Sequence, residues 1–178
     1  NLKYDEALEY VRQTSIFTTH PTIAAGHDQF HEDVIRPYLA PFEEALHKEE
    51  QLAKLTIIDT LIQVKGKLLD VGCGTGISTL YFKDKAACTG LDPSKEMLKQ
   101  FLGTKVLGQA EHLPFEDKTF DVVISVTALH LSDMNKSIPE LERVCKGVIA
   151  ISLLKKSKSI THPLLKEYIR YDCDRDYL

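Results

Sequence analysis

This 178-residue chain lacks several features, and each absence removes a class of function. No apolar run approaches the roughly 20 residues of a membrane span, so an integral membrane protein is not expected. There is no basic excess: 22 basic against 26 acidic residues leave a formal charge of −4, and charge gives no argument for a nucleic-acid partner, though nucleic acid stays open as a substrate. No CxxC pair occurs. Cys73, Cys88, Cys145 and Cys173 lie far apart and read as reduced thiols, not as a disulfide frame or a zinc site. The first residues, Asn1 to Glu6, show neither an initiator Met nor the basic and apolar regions of a signal peptide, which makes the cytoplasm the expected compartment and implies residues removed ahead of Asn1.

What remains is 43% apolar and 27% charged, the balance of one soluble globular domain. The length can bury a single substantial core. Residues 1–63 read as helical, with apolar positions Tyr4, Leu8 and Val11 on one face, a turn-prone connector over 14–27, and a helix from Asp28 interrupted near Pro37 and Pro41. A further helix runs to about Gln63 with Leu46, Leu52, Leu55, Ile58 and Ile62 at helical spacing. From residue 64 to 154 the pattern alternates. Strands are expected over 67–71, 86–92, 105–107, 120–126 and 148–154, and helices over 76–84, 94–102 (Met97 and Leu98 inward) and 134–146. Such alternation with short connections means an α/β, doubly wound, Rossmann-like parallel sheet. Residues 155–178 read as a basic loop and one helix over 162–172. The whole is one domain with an N-terminal helical lid.

Ligands of such sheets sit outside the carboxyl ends of the strands, where strand order reverses. Gly72-Cys73-Gly74-Thr75-Gly76 follows the first strand there, and glycines let a ligand approach the backbone closely. The spacing fails the dinucleotide GxGxxG, because its third glycine would fall on Ile77, and it fails the P-loop, because no lysine follows Gly76 in place. Asp92 ends the second strand, where a carboxylate can accept both hydroxyls of a ribose. A glycine loop and a diol-binding acid without a phosphate-gripping cation point to a nucleoside that carries no phosphate.

The stretches LLDVGCGTGIST (68–79), GLDPSKEML (90–98) and GQAEHLPFEDKTFDVVISVTALHL (108–131) resemble the successive motifs of class I S-adenosylmethionine-dependent methyltransferases. In particular they resemble the methyltransferase type 11 branch, which includes ubiquinone/menaquinone-biosynthesis-like enzymes. The resemblance implies S-adenosylmethionine as cofactor, S-adenosylhomocysteine as product and a small-molecule acceptor. It also implies roles. Asp70 would orient the glycine loop and the cofactor's amino group; Gly72, Cys73, Gly74 and Gly76 would line the methionine moiety. Asp92 would hold the ribose, with Pro93 shaping the adenine side, Ala110 and Glu111 bordering the adenine, and the Ser125 carbonyl receiving the methionine ammonium. Gln109 stands where many relatives carry an aspartate that accepts from the adenine amino group; glutamine keeps an acceptor without the charge.

His130 lies just beyond the fourth strand, and histidine is the residue type suited to act as a base at neutral pH, so it is the candidate catalytic residue beside the plainer reading of a half-buried histidine bonded to the backbone. Cys73 near a helix start invites a nucleophile reading, against its usual passive place in the loop. His27 and His31 share a helix spacing without an evident third ligand, so no metal is assigned. The [DN]PP[YF] of many amino-methylating enzymes is absent after the fourth strand. Relatives usually close the sheet with a β6–β7 hairpin, which the last residues lack, leaving the fifth strand as a bare edge with three explanations: a longer chain that continues the sheet, a minimal fold whose last helix covers the edge, or a second copy or another partner that completes it. The alternative to an active enzyme is a cofactor-binding module that is non-catalytic or depends on a partner.

Overall fold

The computed structural model describes residues 48, 51–154, 157, 161–170 and 176–177. The chain divides into two compact units, Asn1–Glu49 and Glu50–Leu178, and the sheet with its helices belongs to the second. The strands are β1 (Gly66–Val71), β2 (Ala86–Asp92), β3 (Thr104–Leu107), β4 (Phe120–Val126), β5 (Cys145–Leu154) and β6 (Asp176–Tyr177). Helices are α1 (51–62), α2 (Ile77–Phe82), α3 (Lys95–Gln100) and α4 (Met134–Val144). The strand order is β3-β2-β1-β4-β5-β6, parallel except for β6. Order reverses between β1 and β4, and that places the crevice at the carboxyl ends of β1, β2 and β4.

The central strands are apolar on both faces because helices cover both. On one face Val122, Ile124 and Val126 of β4 pack with Leu68, with Leu55 and Ile58 of α1, and with Phe82 of α2. On the other, Val123, Leu69 and Val71 pack with Ile138, Leu141 and Val144 of α4. Among these, each fully buried side chain, such as Leu68, Ile124 or Ile138, contributes about 1.5–3 kcal/mol. Asp59 of α1 also pairs with Lys85, just beyond α2. Residues 51–62 thus belong to the sheet-bearing unit. The expected helix over 3–13, the connector 14–27 and the helix from Asp28 lie outside the described residues, as do Tyr4, His27 and His31. Among the described residues no helix is long and apolar enough to cross a membrane.

The structure corrects several expectations. Met97 is exposed, and only Leu98 turns inward from the short helix α3. β5 starts at Cys145, three residues earlier than expected. Phe120 pairs with Cys145 and Val122 with Val148, two steps along β4 against three along β5, so β5 carries a bulge. Gly147 permits it: a Cβ there would lie 2.2 Å from the Asp121 carbonyl oxygen. The helix expected over 162–172 is a single 3-10 turn, Pro163–Leu165, followed by non-helical chain to residue 170. The edge of β5 is not bare throughout, since Leu153 and Leu154 pair antiparallel with Tyr177 and Asp176 of β6. No second strand of a hairpin follows among the described residues.

Candidate functional site

The chain leaves β1 into a loop whose three glycines have φ of 76° (Gly72), 54° (Gly74) and 95° (Gly76), left-handed values that favour glycine. Backbone N–H groups of Gly72 and Cys73 both donate to the Leu91 carbonyl, at 2.8 and 3.1 Å, and so fasten the loop to β2. The glycines differ in what surrounds them. A Cβ on Gly72 would meet Ala128 Cβ at 2.4 Å, and one on Gly76 would meet the Phe101 ring at 2.7 Å. A Cβ on Gly74 would meet nothing within 4 Å. Two glycines therefore serve the protein's own packing, while Gly74 faces open space where a ligand can touch the backbone.

Asp92, 8% exposed, closes this place from β2. Its Oδ2 accepts from the Gly74 N–H at 2.9 Å and its Oδ1 from the Ser94 N–H at 2.8 Å. Each oxygen keeps a second acceptor direction, so a diol can still be held. Pro93, next in the chain, is exposed. The Gly108 N–H donates to the Asp92 carbonyl at 3.2 Å, which lays residues 108–111 beside the carboxylate. There Gln109 is exposed and its carbonyl accepts from the His112 N–H, while Ala110 packs partly on the core. Glu111 is tied down: its Oε1 accepts from the Asp133 N–H at 2.9 Å, ahead of α4.

Asp70 is buried at the end of β1, and burial raises its carboxyl to about 7, opposed by hydrogen bonds from Ser78 and Thr79 and assisted by the charge of Asp92. Such a carboxyl lets its charge respond to what enters the site. Cys73 is buried, and that burial pushes its thiol up to about 12, which removes the nucleophile reading. Ser125 is fully buried in β4 with its Oγ unpartnered, and Nδ1 of half-buried His130 is likewise buried without a partner. Buried polar atoms are rarely left unpaired, so both mark positions suited to a bound polar group or water. A donor with a nucleoside diol and no phosphate fits this set: an open backbone position at Gly74, a diol acceptor at Asp92 and a neutralisable carboxyl at Asp70.

Some parts escaped the sequence reading. Phe101 fills the space beside Gly76 and Gly90, and Ala128 seats on Gly72. Arg143 of α4 donates to the carbonyls of Leu113 (2.9 Å) and Phe115 (2.8 Å) and pairs with Asp117 and Glu140. Glu140 in turn accepts from the Leu113 N–H at 2.7 Å, and the Arg143 guanidinium holds its carboxyl down at about 2. Their i,i+3 spacing in a helix was the available signal. Thr127, just past β4, has a φ of 55°, which for a β-branched residue costs of order 1–3 kcal/mol. No residue pattern announces it. Buried Lys54 bonds to its hydroxyl. Lys54 could have been noticed, because it stands four and eight residues before Ile58 and Ile62, on the apolar face of α1.

Comparison with known proteins agrees with this geometry. Residues 69–149 match the family model described as a methyltransferase domain. The chain is 32% identical over 141 residues to an uncharacterized methyltransferase, YcgJ, of Bacillus subtilis, covering 72% of this chain and 55% of that protein. It is 32% identical over 130 residues to the ubiquinone/menaquinone biosynthesis C-methyltransferase UbiE of Burkholderia mallei, covering 65% of this chain and 53% of that protein. The crystal structure of the Bacillus subtilis YcgJ protein superposes with a TM-score of 0.53 at 28% identity, over 56% of this chain and 50% of that one. The chain spans about half the length of these relatives. Family and fold together imply S-adenosylmethionine as the methyl source. The glycine loop, the acid at the end of β2 and these matches identify residues 69–149 as a methyltransferase domain of type 11, carried on the Rossmann-like fold of class I methyltransferases.

Proposed function

We propose that this protein binds S-adenosylmethionine at the carboxyl ends of β1, β2 and β4 and methylates a small-molecule acceptor. The observation that carries the reading is the open backbone at Gly74, whose N–H is fixed by the Asp92 carboxylate. When bound, the donor supplies a methyl group on a sulfonium, already activated for in-line displacement. The protein's part is then alignment and exclusion of water, which can contribute on the order of 7–11 kcal/mol at best. Gly72, Cys73, Gly74 and Gly76 line the amino-acid part, Asp92 takes the ribose hydroxyls, Pro93, Gln109 and Ala110 border the base, and the Ser125 carbonyl and Asp70 face the ammonium. Glu111 serves mainly by fastening that border to the start of α4.

His130 is the group suited to take a proton from the acceptor, since it follows β4 and its buried Nδ1 has no protein partner. His130 would accept the acceptor's proton on its imidazole while the acceptor's lone pair is directed at the methyl group that a bound donor would supply, the donor's sulfur keeping the electron pair as a neutral thioether. His130→Ala is expected to lower turnover by roughly 10²–10⁴-fold with cofactor affinity nearly unchanged. Unaltered turnover on the same acceptor would leave the residue a structural role only.

Calorimetric titration with S-adenosylhomocysteine, against NAD as control, tests the donor assignment. Micromolar binding of the first and none of the second is the expected result; absence of both would sink it. In the same assay Asp92→Ala should weaken binding by about 1–3 kcal/mol, roughly 5- to 150-fold, because an ionised acceptor is lost. Full affinity in that variant would refute the ribose assignment.

A further inference from the structure

Lysine is seldom buried on the apolar face of a helix, because its ammonium is costly to take out of water. Lys54 is 5% exposed on α1, near Leu55 and Ile58 in the helix, and its ammonium donates to the Thr127 hydroxyl at 3.2 Å. Ser152 holds Thr127 as well: its carbonyl accepts from the Thr127 N–H at 3.1 Å, and its Oγ lies 3.3 Å from the Thr127 hydroxyl. Together these bonds keep a β-branched residue at a φ of 55°. Strained backbone of this kind persists only when the surroundings over-determine it, and it gathers at functional sites.

The strained turn has an immediate consequence. It ends β4 and directs the next residue, Ala128, onto the glycine loop, close enough that a Cβ on Gly72 would lie 2.4 Å from its methyl group. Two residues further on comes His130, in the 3-10 turn Leu129–Leu131. We propose that Lys54 is a positioning residue for the methyl-donor site: by donating to the Thr127 hydroxyl it holds the left-handed turn that seats Ala128 against Gly72. This rests on the donor reading given above, and it assigns Lys54 no contact with the donor.

The test measures S-adenosylhomocysteine affinity by calorimetry and thermal unfolding in parallel. K54M, which keeps the length and apolar stem, is expected to weaken binding by about tenfold, and T127V, which keeps the shape and removes only the hydroxyl, by a similar factor. K54R, which retains a charged donor, should stay within about threefold of the unmodified protein. The decisive variant is K54M/T127G. Glycine adopts the left-handed turn without strain, so the pair should recover most of the affinity lost in K54M. A purely structural lysine would lower the unfolding temperature without moving affinity, and that result overturns the inference. So does a K54M/T127G pair that binds as weakly as K54M. If K54M fails to fold, T127V against T127G carries the same contrast. Should the unmodified protein not bind S-adenosylhomocysteine at all, the donor reading falls and takes this inference with it; binding by the unmodified protein together with full affinity in K54M and T127V would overturn the inference alone.

Discussion

Gly74→Val is expected to abolish S-adenosylhomocysteine binding while the protein stays folded. The substituted Cβ meets nothing within 4 Å, so the branch point of the new side chain displaces no protein atom. The cost to the fold is the left-handed φ of 54°, about 1–2 kcal/mol for a residue other than glycine. The same branched side chain occupies the space by which a ligand reaches the loop backbone, and affinity should fall by about 100-fold or more. The neighbouring glycines give the control. Gly72→Val and Gly76→Val drive a side chain into Ala128 or Phe101, so their defect should be read mainly in unfolding temperature. Near-normal affinity in Gly74→Val, measured by calorimetry, would show that the ligand lies elsewhere.

Affinity for the same ligand should also rise with pH up to neutrality. Asp70 in the folded protein holds its proton up to about 7, against a usual value of 3.8, chiefly because it is buried. The folded state therefore binds more protons than the unfolded chain between these values, and this group makes stability fall as pH rises from about 4 to 7. Over that span of roughly three units the loss approaches about 4 kcal/mol. A ligand ammonium near Asp70 favours the carboxylate, so binding below pH 7 releases a proton. The association constant then climbs by up to about tenfold per pH unit and levels above neutrality. Titration in buffers of different ionisation enthalpy reads the proton directly. Asp70→Asn should flatten both the affinity profile and the stability profile; a flat affinity profile in the unmodified protein would separate Asp70 from the ligand.

The sheet was legible because its signals are local and repeated. FDVVISV is apolar at nearly every position, as only a strand covered on both faces needs to be, and the observed β4 has the expected ends. The glycine loop and Asp92 were legible for a different reason: their spacing reflects a backbone shape that few sequences satisfy. Errors arose where distant atoms decide. The pattern carries a helix to Lys146 and starts the strand at Val148, yet β5 begins at Cys145, because Gly147 fits a bulge against Asp121. Residues 162–172 have helical spacing, yet the described part, 162–170, holds one short 3-10 turn. Met97 and Leu98 are adjacent and equally apolar, and only the direction of a six-residue helix determines which one is buried. Gly72, Gly74 and Gly76 look equivalent in sequence, although Ala128 and Phe101, 25 or more residues away, give two of them a packing role. The left-handed Thr127 carries no sequence mark at all.

The arginine at the end of α4 has a kinetic meaning as well as a structural one. Arg143 and Glu140 grip the carbonyls of Leu113 and Phe115 and the N–H of Leu113, and Glu111 is bonded to Asp133, so the segment bordering the proposed base site is anchored to one helix. Fixing a flexible backbone takes about 1–2 kcal/mol per residue. Here that ordering is completed when the protein folds rather than when a ligand arrives. A molecule entering beside residues 109–111 meets a wall already in place, and its residence time on that side is governed by the contacts it makes rather than by the closing of a loop.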